Sequence, residues 1–174
     1  MAHGPHRVRG AVRLILADVL EPGLRVVLCG SAAGRRSAEL GLPYAGPGNR
    51  FWRILHESGL TPEELSPPRF RELARHGVGL TDLCKTASGP DASLPREADD
   101  VDGLREKVER FGPPVLAFVG KRAAKVALAC GVGYGPQAER FGGADTWVLP
   151  STSGLAVRFW DPEPWHALAR RVAS

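Results

Sequence analysis

An α/β domain is predicted, a small three-layer sandwich in which a mostly parallel four-stranded sheet lies between helices. Two observations carry this. Short continuous apolar runs at 24–29, 78–83, 114–120 and 147–150 alternate with segments of helical pattern. Runs of that length without alternation are strands buried on both faces. The unusual loops, at 30–48, 82–95, 120–121 and 150–155, all follow strand carboxyl ends, which is where open α/β sheets bind ligands.

Residues 1–10 are a basic lead with no apolar signal-peptide core, expected to be disordered. Val12, Leu16, Val19 and Leu20 give an apolar face and predict a short helix over 11–20, stopped by Glu21-Pro22-Gly23. The first strand, 24–29, runs into the long loop to Gly48. Asn49 caps a helix that carries Phe51, Trp52, Ile54 and Leu55 and ends at Gly59. Thr61-Pro62-Glu63-Glu64 has an N-cap, a first-turn proline and a capping-box acid, and predicts another helix. Pro67-Pro68 interrupts it, and a third helix over 69–76 leads to the second strand. After the polar loop 85–95, acidic residues open a helix over 99–111. The strand at 114–120 feeds an alanine-rich helix, 121–129. The last strand, 147–150, is expected to form a hairpin with residues near 139–141. Asp161 and Pro162 open the final helix, on which Trp165, Leu168 and Val172 have core spacing. No repeat or linker divides the chain, so 11–174 is expected to be one domain.

Composition sets limits. A chain of 174 residues, 43% hydrophobic and 24% charged, can bury one sizeable core. The net charge of +4, mostly arginine, suits phosphate contacts without proving them. Cys29, Cys84 and Cys130 form no C-x-x-C pair and no Cys/His cluster. That pattern points to free thiols in a reducing compartment and away from zinc or an iron–sulfur cluster. No apolar run is long enough to span a membrane. The expectation is a cytoplasmic protein, nucleoid-associated if it binds DNA, without metal or cofactor and monomeric.

Four motifs in order carry a resemblance. The run 18–30 followed by Pro47-Gly48-Asn49-Arg50-Phe51-Trp52 resembles the first motif region of the mismatch-specific uracil/thymine DNA glycosylases. Trp147-Val148-Leu149-Pro150-Ser151-Thr152-Ser153-Gly154-Leu155 resembles their second motif. Gly77-Val78-Gly79-Leu80-Thr81-Asp82-Leu83 and Leu116-Ala117-Phe118-Val119-Gly120-Lys121 fit between them. The resemblance covers roughly 18–172. It implies the uracil-DNA glycosylase fold and cleavage of the N-glycosidic bond of a mispaired or damaged base, with uracil opposite guanine as the expected substrate in double-stranded DNA. The base is flipped out of the duplex, at a cost of a few kcal/mol.

The resemblance also assigns residues. Gly30, Ser31, Ala32, Gly34 and Ser37 line the base pocket. Tyr44 matches the aromatic that stacks on the flipped base. Ser151, Thr152, Ser153, Gly154 and Leu155 match the DNA-entering loop, with Leu155 as the wedge that fills the vacated space. From their positions alone, and not from the family, Lys121 at a helix start and Arg158 after the wedge loop are candidate phosphate contacts. Without the family, 151–155 is a turn whose amides could hold a phosphate, and Lys121 is a surface lysine.

The chain departs from the family at its centre. The usual first motif is Gly-Ile-Asn-Pro-Gly, whose asparagine holds the attacking water; here it is Gly30-Ser31-Ala32-Ala33-Gly34. A methyl group at Ala32 neither orients nor deprotonates water. The usual Asn-Pro-Ser-Gly-Leu is replaced by Ser151-Thr152-Ser153-Gly154-Leu155. Asp82, ending the second strand on the same rim, is the best replacement base. At an ordinary carboxylate pKa, about 4, it is ionised at neutral pH. The bland alternative is an aspartate capping its own turn. Asp91 is the second choice. The 30–34 loop could offer amides to the leaving base. No lysine is obviously placed for Schiff-base chemistry, so a monofunctional glycosylase is expected. The rivals are a non-catalytic lesion-binding module, a glycosylase for other deaminated or alkylated bases, and an enzyme of free nucleosides.

Overall fold

The computed structural model describes residues 13–173; the basic lead 1–10 lies outside the described residues. Among the described residues five strands form one sheet: β1 (Val26–Gly30), β2 (Val78–Asp82), β3 (Val115–Val119), β4 (Gly135–Phe141) and β5 (Ala144–Leu149). Their order is β2-β1-β3-β5-β4. All pairings are parallel except the β4–β5 hairpin. The parallel four-stranded sheet was legible. The fifth strand was foreseen only as a hairpin partner near 139–141, because β4 is a polar edge strand buried only at its two ends. Gly142 and Gly143 turn the hairpin at φ of 56° and 87°, the left-handed pair that a two-residue connection needs.

Helices α1 (Arg35–Leu40), α2 (Phe51–Glu57), α3 (Val101–Phe111), α4 (Lys121–Leu128) and α5 (Glu163–Val172) complete the fold, with a 3₁₀ segment at Pro67–His76. Strand alternation divides the core. Val26 and Leu28 of β1 face Phe51, Ile54, Leu73 and Trp165, while Val27 and Cys29 face Leu104, Val108, Ala123 and Phe118. α2, the 3₁₀ segment and α5 therefore cover one face, and α3 and α4 the other. This is the expected three-layer sandwich. Asn49 Oδ1 accepts from Phe51 N–H at 3.0 Å, and Asp161 Oδ1 from Glu163 N–H at 3.0 Å, so both predicted helix starts are present.

Three expectations fail. Within the described part of 11–20 there is no helix. Residues 13–20 form no regular element apart from a bridge at Val19, which exchanges two 2.9 Å backbone hydrogen bonds with Leu80. The exposed edge of β2 gains a partner there, which outweighs helical propensity. The 61–64 capping box starts no helix. Thr61 is buried, and its hydroxyl donates to Glu63 O at 2.8 Å instead of capping a first turn. Inside the long 30–48 loop, six residues form α1, stopped by Gly41 at φ 66°, a helix too short to show periodicity.

Candidate active site

The carboxyl ends of β1, β2, β3 and β5 open into a single cleft of about 1110 Å³. Parallel register decides what meets there. Gly30 pairs with Asp82 across β1–β2, so the two motifs end side by side. Asp82 lines the cleft, as do the predicted pocket residues Gly30, Ser31, Ala32, Gly34, Ser37 and Tyr44 and the whole 151–155 loop.

Gly30 is small for a reason. A Cβ there would lie 2.5 Å from Asp82 Oδ1 and 3.1 Å from Tyr44 Oη. The carboxylate and the phenol thus rest over the bare backbone of β1. Tyr44 takes φ 51° and stacks on Phe51, with ring centroids 3.7 Å apart and planes 8° from parallel. Non-glycine residues held in the left-handed region cluster at functional sites. Ser37 lines the cleft, but its Oγ already accepts from Ala45 N–H at 3.0 Å, bracing the Tyr44 loop.

No donor among the described residues reaches the Asp82 carboxylate. The turn that follows is closed by backbone instead, Leu83 N–H to Gly30 O at 2.9 Å. The turn-capping alternative therefore does not describe this side chain. Burial raises its pKa to about 6, against the lowering pull of Lys85. The ordinary value near 4 expected from sequence is corrected upward, and the group is still mostly ionised at neutral pH. Burial, and then the Asp82 charge, push Tyr44 and Cys29 well up, so phenol and thiol stay neutral. Asp91 also lines the cleft but is exposed.

A charge cluster beside Asp82 escaped the sequence reading. Lys85, 8% exposed and lining the cleft, binds Asp18 Oδ1 at 2.6 Å; Lys107 binds Asp18 Oδ2 at 2.7 Å. Thr81 Oγ1 donates to Asp18 Oδ1 at 2.9 Å. Burial pushes the Asp18 carboxyl up, but the two lysines outweigh it and hold it below the usual range. Placing Asp18 on a helix concealed this. The only available signal was Lys85, one turn after Asp82.

The 151–155 loop leans on the first motif. Arg50 N–H donates to Thr152 O at 2.9 Å, and a Cβ on Gly154 would lie 2.8 Å from Pro47 O. Ser151 Oγ accepts from Ser153 N–H at 3.3 Å and Ser153 Oγ from Leu155 N–H at 3.2 Å. These two amides serve the loop itself, which takes them from the anion-binding role considered above. Leu155 is 93% exposed at the rim. Two predicted contacts lie outside the cleft lining: Lys121 Nζ sits 4.5 Å from the Tyr134 ring centroid, and the Arg158 guanidinium 5.8 Å from that of Phe159. Among the described residues no group of three His, Cys, Asp or Glu side chains forms a metal site.

Comparison with known proteins agrees with this geometry. The family model "Uracil DNA glycosylase superfamily" matches residues 17–169. A solved solution structure, of a candidate uracil DNA glycosylase from Methanosarcina acetivorans, superposes with a TM-score of 0.66 at 25% identity. The match covers 91% of this chain and 97% of that one. With a family model spanning most of its length and the fold to match, the chain belongs to the uracil DNA glycosylase superfamily, whose members are DNA glycosylases.

Proposed function

We propose that this chain is a monofunctional glycosylase of the mismatch-specific branch, hydrolysing the N-glycosidic bond of uracil flipped from a G·U pair in duplex DNA. One observation carries the reading. The Asp82 carboxylate faces the cleft over Gly30 with no internal hydrogen-bond partner and a proton affinity near 6. A group that is ionised at neutral pH and has free lone pairs is suited to hold and deprotonate water.

As the bond from sugar C1′ to the base nitrogen breaks, the electron pair leaves with the base and C1′ becomes oxocarbenium-like. The buried Asp82 charge stabilises that cation. Water then adds its oxygen to C1′ and gives its proton to Asp82. The products are an abasic sugar and the free base, which takes up a proton. Ala32 has no part in this beyond leaving room. Lys85 Nζ is held by Asp18 Oδ1 at 2.6 Å, so this side chain is engaged elsewhere and not presented to C1′ as a nucleophile, in line with hydrolysis without strand cleavage. Tyr44 is assigned to the face of the flipped base and Leu155 to the vacated stack. The protein is taken to act as a monomer in the cytoplasm, on nucleoid DNA.

Single-turnover release of uracil from a G·U duplex, wild type against Asp82→Asn, tests the reading. The variant should lose at least about 100-fold. An unchanged variant would make Asp82 structural. A wild type that binds the duplex without cleaving it would favour the lesion-binding module suggested by the loss of asparagine at Ala32.

A further inference from the structure

Three large apolar side chains stand out of one short loop. Leu155 is 93% exposed, Phe159 68% and Val157 59%, the highest values for large hydrophobic side chains among the described residues. The loop holds them out on a fixed base. Trp165 Nε1 donates to Pro150 O at 3.1 Å, Thr152 is buried, and Arg50 N–H binds Thr152 O. At the tip, Ala156 N–H donates to Ser153 O at 3.0 Å, Phe159 N–H to Ala156 O at 3.3 Å and Trp160 N–H to Val157 O at 3.2 Å. Trp160 then returns to the core, with the Arg50 guanidinium 5.2 Å from its ring centroid. Apolar surface held out by a braced loop marks an interaction site.

The surroundings name the partner. Leu155 and Ala156 line the cleft, and Val157 and Phe159 follow them in the chain, exposed and outside its lining. The Arg158 guanidinium lies beside Phe159. Flat apolar surface flanked by anions is what a nucleic-acid duplex offers, with base faces between phosphates.

We propose that Phe159 is a second base-contacting side chain of this loop. It stacks in the step beside the flipped nucleotide, while Leu155 occupies the vacated position and Arg158 meets an adjacent phosphate. The proposal rests on the glycosylase reading. Side chains that enter the base stack must unstack it. A site that has already lost a base is cheaper to enter, so Phe159 favours damaged over intact duplex.

The test is a fluorescence-anisotropy titration of the full chain at one fixed salt concentration. The probes are a duplex carrying a tetrahydrofuran abasic analogue and its intact counterpart. Phe159→Ala should bind the abasic duplex about tenfold more weakly, the scale of one base–aromatic stack. Intact duplex, held by phosphate contacts, should bind unchanged. Phe159→Trp should retain the abasic preference, and both variants should melt like wild type. A Phe159→Ala protein with undiminished abasic preference overturns this proposal alone and leaves the strip to a protein partner. A wild type with no abasic preference overturns the glycosylase reading and this proposal with it.

Discussion

Gly30→Ala tests the geometry on which the mechanism depends. The new Cβ would lie 2.5 Å from Asp82 Oδ1, where ordinary contact begins at 3.4 Å. The carboxylate oxygen must therefore retreat by about 0.9 Å, and a misplacement of about 1 Å costs on the order of 100-fold in rate. The backbone itself accepts alanine, because Gly30 is a β1 residue without positive φ. Losing glycine's freedom in the unfolded chain is worth about 0.4–1 kcal/mol, so displacement strain is offset and the variant should fold. The assay is single-turnover uracil release from a G·U duplex, with a melting curve as control. An approximately 100-fold loss at unchanged melting temperature is expected. The double variant Gly30→Ala/Asp82→Asn should be no slower than Asp82→Asn, because both changes act through one carboxylate. A Gly30→Ala enzyme at wild-type rate, or losses that multiply, would refute the reasoning.

Below about pH 6 the rate should fall tenfold per unit and above it level off, since only ionised Asp82 accepts the proton; a flat profile between about pH 5 and 8 contradicts this assignment. The folded pKa of Asp82, about 6, exceeds the ordinary aspartate value of about 3.9. Its stability contribution is therefore greatest at low pH and is lost as pH rises through that window, and Asp82→Asn should gain on the order of 2–3 kcal/mol at pH 8 in urea denaturation. Asp18→Asn strips Lys85, 8% exposed, of its counter-charge; about 3 kcal/mol of stability should go, read as a lower denaturant midpoint. Leu155→Ala should slow excision from duplex but not from single-stranded DNA, because only the duplex has a stack to fill; equal losses on both would contradict the wedge.

What the sequence made legible was what it states locally. β1 and β3 are continuous apolar runs with every residue buried, and Asp82 is a lone acid after such a run. The rest depends on partners remote in sequence. The 61–64 box has every local sign of a helix start, yet Thr61 is drawn into the core. Residues 13–20 have helical spacing, yet the unpaired edge of β2 claims Val19. Asp18 matters because Lys85 and Lys107, 67 and 89 positions away, converge on it, and no local pattern announces that. Phe159 is exposed in the fold, and nothing in its local sequence announces that.

The substitution at Ala32 and the carboxylate at Asp82 fit one physical account. Adjacent parallel strands in register end at the same height, and Gly30 stands directly across from Asp82. A side chain from the end of β2 can therefore serve the same cleft as one from the loop after β1. With Asp82 as the proposed base, moving the polar group across that pairing would keep a water within reach and change what is done to it. An amide in the family's usual position can only orient water, whereas a carboxylate can also take its proton and face the positive charge growing on the sugar. The exchange requires two conditions: a residue without a side chain at Gly30, so that Oδ1 can lie over the strand, and a nearby cation to limit how far burial raises the acid. Lys85 supplies that cation, and Asp18 fixes it in place. On the proposed reading, the Asp18–Lys85–Lys107 cluster is thus part of the same solution as the base beside it.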